Sequence, residues 1–168
     1  MSYGPRPLLA ALLVTPFALA CGPGPEEVCG LPSAKPTAED VADNQVVAKL
    51  NGGGFDEPGS WSAGPNGSLT AGTLNVVIAR DNTGTLTSDL VGRGAFPICV
   101  DIGERSDVSG NADFDGHFLS DGAHTGSVAI LGEEEGLLTG RFRLELKDNL
   151  GADAPAVFED GMFRIPRR

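Results

Sequence analysis

The chain has few of the residue types on which binding and catalysis often depend. Among its 168 residues it has one tryptophan, Trp61, one tyrosine, Tyr3, and two histidines. Carbohydrate-binding sites and the hot spots of protein interfaces often depend on the aromatic rings of Trp and Tyr. Because the chain has so few of them, a carbohydrate-binding role is disfavoured. The sequence also lacks Gly-x-Ser-x-Gly, Ser-x-x-Lys, His-Glu-x-x-His and a phosphate-binding glycine loop. These absences argue against several large enzyme classes, and we predict that the protein is not an enzyme.

Basic side chains are also few. The chain has 12 Lys and Arg against 23 Asp and Glu, a net charge of −11. Nucleic acids and anionic lipids bind through cationic side chains, so neither nucleic acid nor an anionic lipid surface is expected as a partner. An acidic balance is typical of an exported protein that negative charge keeps soluble.

Residues 1–20 have the features of a secretory signal peptide. One basic residue, Arg6, precedes the apolar stretch 8–20, which ends in small residues. The stretch is too short for a transmembrane helix, which needs about 20 apolar residues. Ala20 directly before Cys21 is also how bacterial lipoprotein signals end. Those signals usually carry Leu three residues before the cysteine, where this chain has Ala18.

The three cysteines, Cys21, Cys29 and Cys99, bear on the same question. If Cys21 carries lipid (acyl chains such as palmitate), Cys29 and Cys99 remain as an even pair in an oxidising compartment, where a disulfide is expected. If Cys21 is unmodified, a secreted protein has an odd thiol. We therefore predict a lipid anchor on Cys21 and a Cys29–Cys99 disulfide. The expected location is the bacterial cell envelope, facing the periplasm or the exterior.

Composition divides the chain into three parts. After the signal peptide, residues 21–43 are rich in Pro, Gly and acidic residues and poor in large apolar ones, which predicts an extended tether. Cys29 would pin this tether to the body if it pairs with Cys99. Residues 44–168 are enough for a single domain with one hydrophobic core.

Apolar residues in 44–168 recur with a period of two. In "GTLNVVIA" Leu74, Val76 and Ile78 alternate with other residues, and "LLTGRFRLELKD" alternates Phe142 and Leu144 with charged residues. No helical pattern longer than two turns is present. These patterns predict an all-β domain, an antiparallel meander of seven to ten strands forming a β-sandwich or flattened β-barrel.

Gly-x-Phe sequences begin at Gly116, Gly140 and Gly161, each in a strand-like run. Glycine inside a strand marks a bulge or a close approach, and the residue two positions later shares its face. We predict that each Phe covers the gap beside its glycine in a curved sheet.

Several stretches together resemble a loose group of bacterial envelope lipoproteins. They are the signal ending in Cys21, the Pro-rich segment, "VVAKLNGGGF", Trp61, "AGTLNVVIARD", "HTGSVAILGEEEGLLTGRFRLEL" and the final "EDGMFRI". The resemblance covers most of the mature chain through the short pattern A-x-x-N-G-x-x-F…G-x-F. No activity is established for that group. The resemblance therefore implies an envelope location and a β-rich fold and adds nothing on mechanism.

One hairpin could bind a metal ion. The dipeptide Asp121-Gly122 predicts a two-residue turn that would bring His117 and His124 to one face, together with Asp113 and Asp115. These are ligands for zinc or another transition metal, and "NADFDG" resembles the start of a calcium loop without its closing Glu. The alternative is an ordinary solvated face of a hairpin. No other cofactor is expected.

Three functions are open at this stage. The first is a membrane-anchored, non-enzymatic β-domain that is structural or binds another envelope component. The second is a calycin-like barrel that binds a small apolar ligand in a cavity lined by residues such as Val76, Ile78, Phe142 and Leu144. The third is a metal-binding domain using the residues of the 113–124 hairpin.

Overall fold

The computed structural model describes residues 26–64, 67–102, 108–113, 117–119, 125–148 and 154–168, and only the backbone of 108–113, 117–119 and 148. The strands in chain order are β1 (Glu27–Val28), β2 (Leu31–Pro32), β3 (Gln45–Leu50), β4 (Gly53–Ser62), β5 (Ser68–Ala71), β6 (Leu74–Ile78), β7 (Ile98–Ile102), β8 (Val108–Asp113), β9 (His117–Leu119), β10 (Gly126–Glu134), β11 (Leu137–Asp148) and β12 (Ala156–Pro166). One short helix, α1, spans Thr87–Gly92.

Eight strands form a nearly closed antiparallel barrel. They follow one another in the order β12-β3-β4-β5-β6-β8-β9-β11, and β11 pairs again with β12 to close the ring. Strand β10 pairs with the first part of β11, and β7 pairs with β10, so these two strands extend the sheet beyond the barrel. The predicted all-β antiparallel architecture is confirmed.

The alternation in the sequence places one face of each barrel strand in the core. Along β6, Leu74, Val76 and Ile78 are at most 1% exposed, while the residues between them are half-buried. Phe142 and Leu144 of β11 are likewise at most 1% exposed and belong to the same packed cluster. These inward positions belong to one closely packed hydrophobic cluster, as expected for a protein core.

The Gly-x-Phe sequences of β11 and β12 interlock across the strand pair. Gly140 lies opposite Phe163, and Phe142 lies opposite Gly161. A Cβ added to Gly140 would collide with the Phe163 ring, and one on Gly161 would lie 2.6 Å from Cδ1 of Phe142. Each Phe therefore covers the glycine of the neighbouring strand. The prediction was right about the packing and wrong about which glycine is covered.

The hairpin predicted at Asp121-Gly122 is wrong. That turn would place Leu119 opposite His124, but both edges of Leu119 are already paired, with Asn111 of β8 and Lys147 of β11. The chain instead reverses between β8 and β9, across the three-residue connection 114–116. That connection also contains an Asp-Gly dipeptide, so the same turn signal occurs twice within a few residues.

Residues 26–43, which we call the strap, differ from the extended tether expected for 21–43. Strands β1 and β2 form a hairpin whose turn residues, Cys29 and Gly30, have φ angles of 56° and 66°. Leu31 then packs against Ala129 and Leu131 on the outer face of β10. The outer face of this extended sheet is apolar at that point, and burying it holds the strap in place.

Hydrogen bonds fasten the rest of the strap to the barrel wall. Arg141 Nε donates to the carbonyl oxygen of Ala34 at 2.9 Å. Arg164, which is 5% exposed, donates from Nε to Oδ1 of Asp43 at 3.0 Å and from Nη1 to the carbonyl oxygen of Pro36 at 3.5 Å. A buried guanidinium needs such partners, so the strap completes the outer surface of β11 and β12.

We predict that Gly140→Ala lowers the free energy of unfolding by about 1–3 kcal/mol, the usual cost of overpacking a core. The cause is the collision with the Phe163 ring, which cannot move without displacing other core residues. Gly54→Ala in β4 is the matched control, because a Cβ there meets nothing within 4 Å. Urea unfolding measures the free energy of unfolding of both variants. Equal stability of the two variants would show that Phe163 does not close over Gly140.

Candidate functional site

The predicted disulfide is present, and a cluster of hydrogen-bonded polar groups surrounds it. Cys29 and Cys99 are bonded, with Cα atoms 5.5 Å apart and a sequence separation of 70. Cys29 lies in the tight turn between β1 and β2, and Cys99 is the second residue of β7. The disulfide therefore joins the strap to the outermost strand of the extended sheet.

Asn82 covers the free edge of β7. Its backbone N–H donates to the carbonyl oxygen of Cys99 at 3.0 Å, and its Oδ1 accepts from the backbone N–H of Asp101 at 2.8 Å. These are the two bonds that another strand would make at this edge. A single residue thus occupies polar backbone groups that would otherwise be available for pairing with another chain.

A rigid turn holds Asn82 in that position. Asp81 Oδ1 accepts hydrogen bonds from the backbone N–H groups of Thr83 at 3.0 Å and Thr85 at 2.8 Å. Gly84 supplies the positive φ of 87° that the turn requires. The residues "DNTG", 81–84, therefore form a turn.

The Asn82 amide also links the disulfide to a carboxylate. Its Nδ2 donates to Oδ2 of Asp101 at 2.7 Å and lies 3.1 Å from Sγ of Cys99. Ser127, opposite Asp101 in the β7–β10 pair, donates from Oγ to Oδ1 of Asp101 at 3.0 Å. Both oxygens of the Asp101 carboxylate therefore have a donor, which fixes the carboxylate beside the two sulfur atoms.

An open groove of about 420 Å³ runs alongside this cluster. Residues of the strap, β7, β10 and β11 line the groove, together with the residue just before β10. They are Cys29, Gly30, Leu31, Asp101, Ile102, Thr125, Gly126, Ser127, Arg143 and Glu145. The Sγ atoms of Cys29 and Cys99 and a carboxylate oxygen of Asp101 all lie within 4.8 Å of one another, close enough to bind one metal ion together. While the sulfurs are bonded to each other they are not thiolate ligands.

The structure brings together only part of the residues predicted as sites. Asp113 and His117 lie opposite each other in the β8–β9 pair. Asp115 and His124, like the lipidation residue Cys21, lie outside the described residues. The metal site predicted from these four residues therefore stays a prediction, although the hairpin that was expected to bring them together is not formed.

Sequence reasoning missed Asn82, Asp101 and Ser127. A signal for one of them was present: in "ICVDI", Cys99 and Asp101 are two residues apart in a strand, so they share a face. No local pattern links this strand to Asn82 or Ser127, because those contacts arise from the turn before α1 and from the β7–β10 register.

The shifted pKa values belong to exposed groups away from the groove. The backbone N–H and the hydroxyl of Thr37 donate to Asp40 and hold the pKa of that carboxyl below its usual range. Lys49 Nζ lies 2.6 Å from Oδ2 of Asp160, which lowers the pKa of Asp160 and raises that of Lys49. Because the pKa values of Asp40 and Asp160 are lowered, their stabilising effect is present at neutral pH and is lost as pH falls through those values.

We predict that Asn82→Ala lowers the free energy of unfolding by about 1 kcal/mol, a typical net value for lost hydrogen bonds. Amide hydrogen exchange at Asp101 should accelerate, because its N–H loses its acceptor. Asn82→Asp keeps that acceptor and places a second carboxylate beside Asp101. It should be at least as destabilising as Asn82→Ala at neutral pH, because two like charges would then lie side by side. Unchanged exchange at Asp101 in Asn82→Ala would show that Asn82 does not cover the edge.

Comparisons with known proteins give no information about the family or function of this chain. The chain shows no match to a protein-family model, to a curated protein or to a solved structure. Within the described part of the chain no helix is long and apolar enough to cross a bilayer. The functional argument therefore rests on the residues and contacts of the chain itself.

Proposed function

We propose that the protein is a lipid-anchored component of the bacterial cell envelope whose β-domain is structural or binds another envelope component. The observation that carries this proposal is the Cys29–Cys99 disulfide. The chain has three cysteines, so this bond leaves Cys21 as the one cysteine available for lipid. Cys21 directly follows a stretch with signal-peptide features, which is where a lipoprotein carries its anchor.

The strap shortens the distance between anchor and domain. Five residues of chain lead from Cys21 to Glu26, the first described residue, and five fully extended residues span at most about 18 Å. In place of a long tether over 21–43, the domain is held near the membrane by the end that carries β1, β2 and the disulfide. Partners must then reach the domain from its other sides.

The filled interior supports a non-enzymatic role. The largest buried side chains, among them Trp61, Phe142 and Phe158, pack into one core cluster. The Asp101 carboxylate, the best candidate for chemistry among the described residues, accepts hydrogen bonds from Asn82 and Ser127. Its two oxygens hold the cluster together, a structural use of the carboxylate.

We expect intact mass spectrometry of the protein purified from bacterial membranes to find diacylglyceryl and acyl mass on an N-terminal Cys21. Reduction should release one pair of thiols, from Cys29 and Cys99. The full-length Cys21→Ser variant is the control and should lack the added mass and leave the membrane fraction or keep its signal peptide. An unmodified Cys21 at the N-terminus, with an odd thiol, would contradict the anchor and indicate ordinary secretion.

The barrel fold is also compatible with a calycin-like role, and this alternative can be tested separately. Residues Val76, Ile78, Phe142 and Leu144 would have to line a cavity, but they are at most 1% exposed in a packed core. We therefore expect no saturable binding of a fluorescent fatty acid by the purified domain. Saturable fluorescence that a natural fatty acid displaces would support the calycin-like alternative instead.

A further inference from the structure

We propose that reduction of the Cys29–Cys99 disulfide creates a binding site for Zn²⁺, with the two thiolates and the Asp101 carboxylate as ligands. The site belongs to the reduced form of the protein, and it is separate from the predicted metal site of the 113–124 hairpin. It does not depend on whether Cys21 carries lipid.

The three ligand atoms lie close enough together for one zinc ion to bind them after a small adjustment. Sγ of Cys29, Sγ of Cys99 and a carboxylate oxygen of Asp101 lie within 4.8 Å of one another. Tetrahedral zinc binds sulfur at about 2.3 Å, which places two sulfurs about 3.8 Å apart. With the Cα atoms 5.5 Å apart, small rotations of the two side chains after reduction open the sulfurs to that separation.

The surrounding hydrogen bonds match those of a metal site. Ser127 holds one oxygen of Asp101, and the Asn82 amide lies between the other oxygen and Sγ of Cys99. Carboxylate ligands of metals are usually oriented by such second partners. The Asp101 side chain is thereby kept beside the sulfurs whether or not the disulfide is formed.

The strap keeps Cys29 in place without the disulfide. On one side of Cys29, Leu31 is buried against Ala129 and Leu131. Farther along, Arg141 holds the carbonyl of Ala34 and Arg164 holds Asp43. Because these contacts do not involve sulfur, reduction leaves the β1–β2 turn close to β7, and the site needs little reorganisation to form.

The groove gives the ion access and a fourth position. Three protein ligands leave one place in a tetrahedral zinc site, which water normally fills. The groove beside the cluster is open and lined by polar residues, including Ser127, Glu145 and Arg143. Two thiolates and a carboxylate carry three negative charges, so the bound ion leaves a net single negative charge, and Arg143 lies along the same groove.

The chemistry balances with a dithiol reductant. The reductant transfers two electrons and two protons, the S–S bond breaks, and the reductant becomes a cyclic disulfide while Cys29 and Cys99 become thiols. Zn²⁺ then displaces the two thiol protons to solvent as two Zn–S bonds form. Reoxidation by a disulfide of the same class would release the ion.

The test uses the full-length chain carrying Cys21→Ser, so that Cys29 and Cys99 are its two cysteines. The protein is reduced, and Zn²⁺ is titrated in competition with a chromophoric chelator. We expect one more ion per reduced chain than per oxidised chain, because only the reduced form offers the two thiolates. Asp101→Asn should weaken binding at least about tenfold, the range for altered ligand shells, whereas the control Asp89→Asn on α1 should not. Co²⁺ should show thiolate charge-transfer absorption that Cys99→Ser diminishes.

Two further measurements distinguish zinc binding at this site from unfolding of the reduced chain and from binding by loose thiols. Circular dichroism reports whether the reduced chain stays folded, and Zn²⁺ should raise the melting temperature of the reduced form more than that of the oxidised form. An unfolded reduced chain would overturn the proposal, because the strap is required to hold Cys29 in place. Equal Zn²⁺ affinity in the parent and in Asp101→Asn would also overturn it, since binding would then be by loose thiols alone.

Discussion

The structure depends on the pairing of β11 with β12. This pair closes the barrel, and it is possible only because the two strands approach with glycines facing aromatic rings, Gly140 against Phe163 and Gly161 against Phe142. A side chain at either glycine would displace a ring from the core. The other edge of β11 pairs first with β10 and then with β9. One strand thus joins the barrel to its two-strand extension.

The two-strand extension, β7 and β10, has an apolar outer face and an unpaired strand edge. Two segments that are distant in sequence bury the face and hydrogen-bond to the edge. The strap buries the apolar outer face of β10 through Leu31. Asn82 occupies the free edge of β7 by hydrogen bonding to Cys99 and Asp101. The disulfide joins the strap to this same strand. In the chain-entropy account, closing a loop of 70 residues contributes about 4 kcal/mol to stability.

The same disulfide connects the two functional proposals. In the oxidised protein it consumes two of three cysteines and leaves Cys21 for an anchor, only five residues from the strap. In the reduced protein its sulfurs would join Asp101 as metal ligands. The anchor proposal places the polar cluster at the end of the domain nearest the membrane, whereas the zinc proposal holds wherever the protein is located. Among the described residues, Val76, Ile78, Phe142 and Leu144 are at most 1% exposed and pack in one core cluster.

The sequence by itself determined the fold class and the disulfide. Period-two alternation in β6 and β11 depends on neighbouring residues alone, and two cysteines left after Cys21 allow a single pairing. Local signals could not place the β8–β9 reversal, because Asp-Gly dipeptides occur both at 115–116 and at 121–122. Nor could they show that a Pro-rich, acidic segment packs as a strap. The segment has too few large apolar residues to form a core of its own. It is held by the apolar outer face of β10 and by the guanidinium of Arg164, which lie far away in the sequence. The contact of Asn82 with Asp101 likewise exists only once the tertiary fold brings a turn against a strand edge.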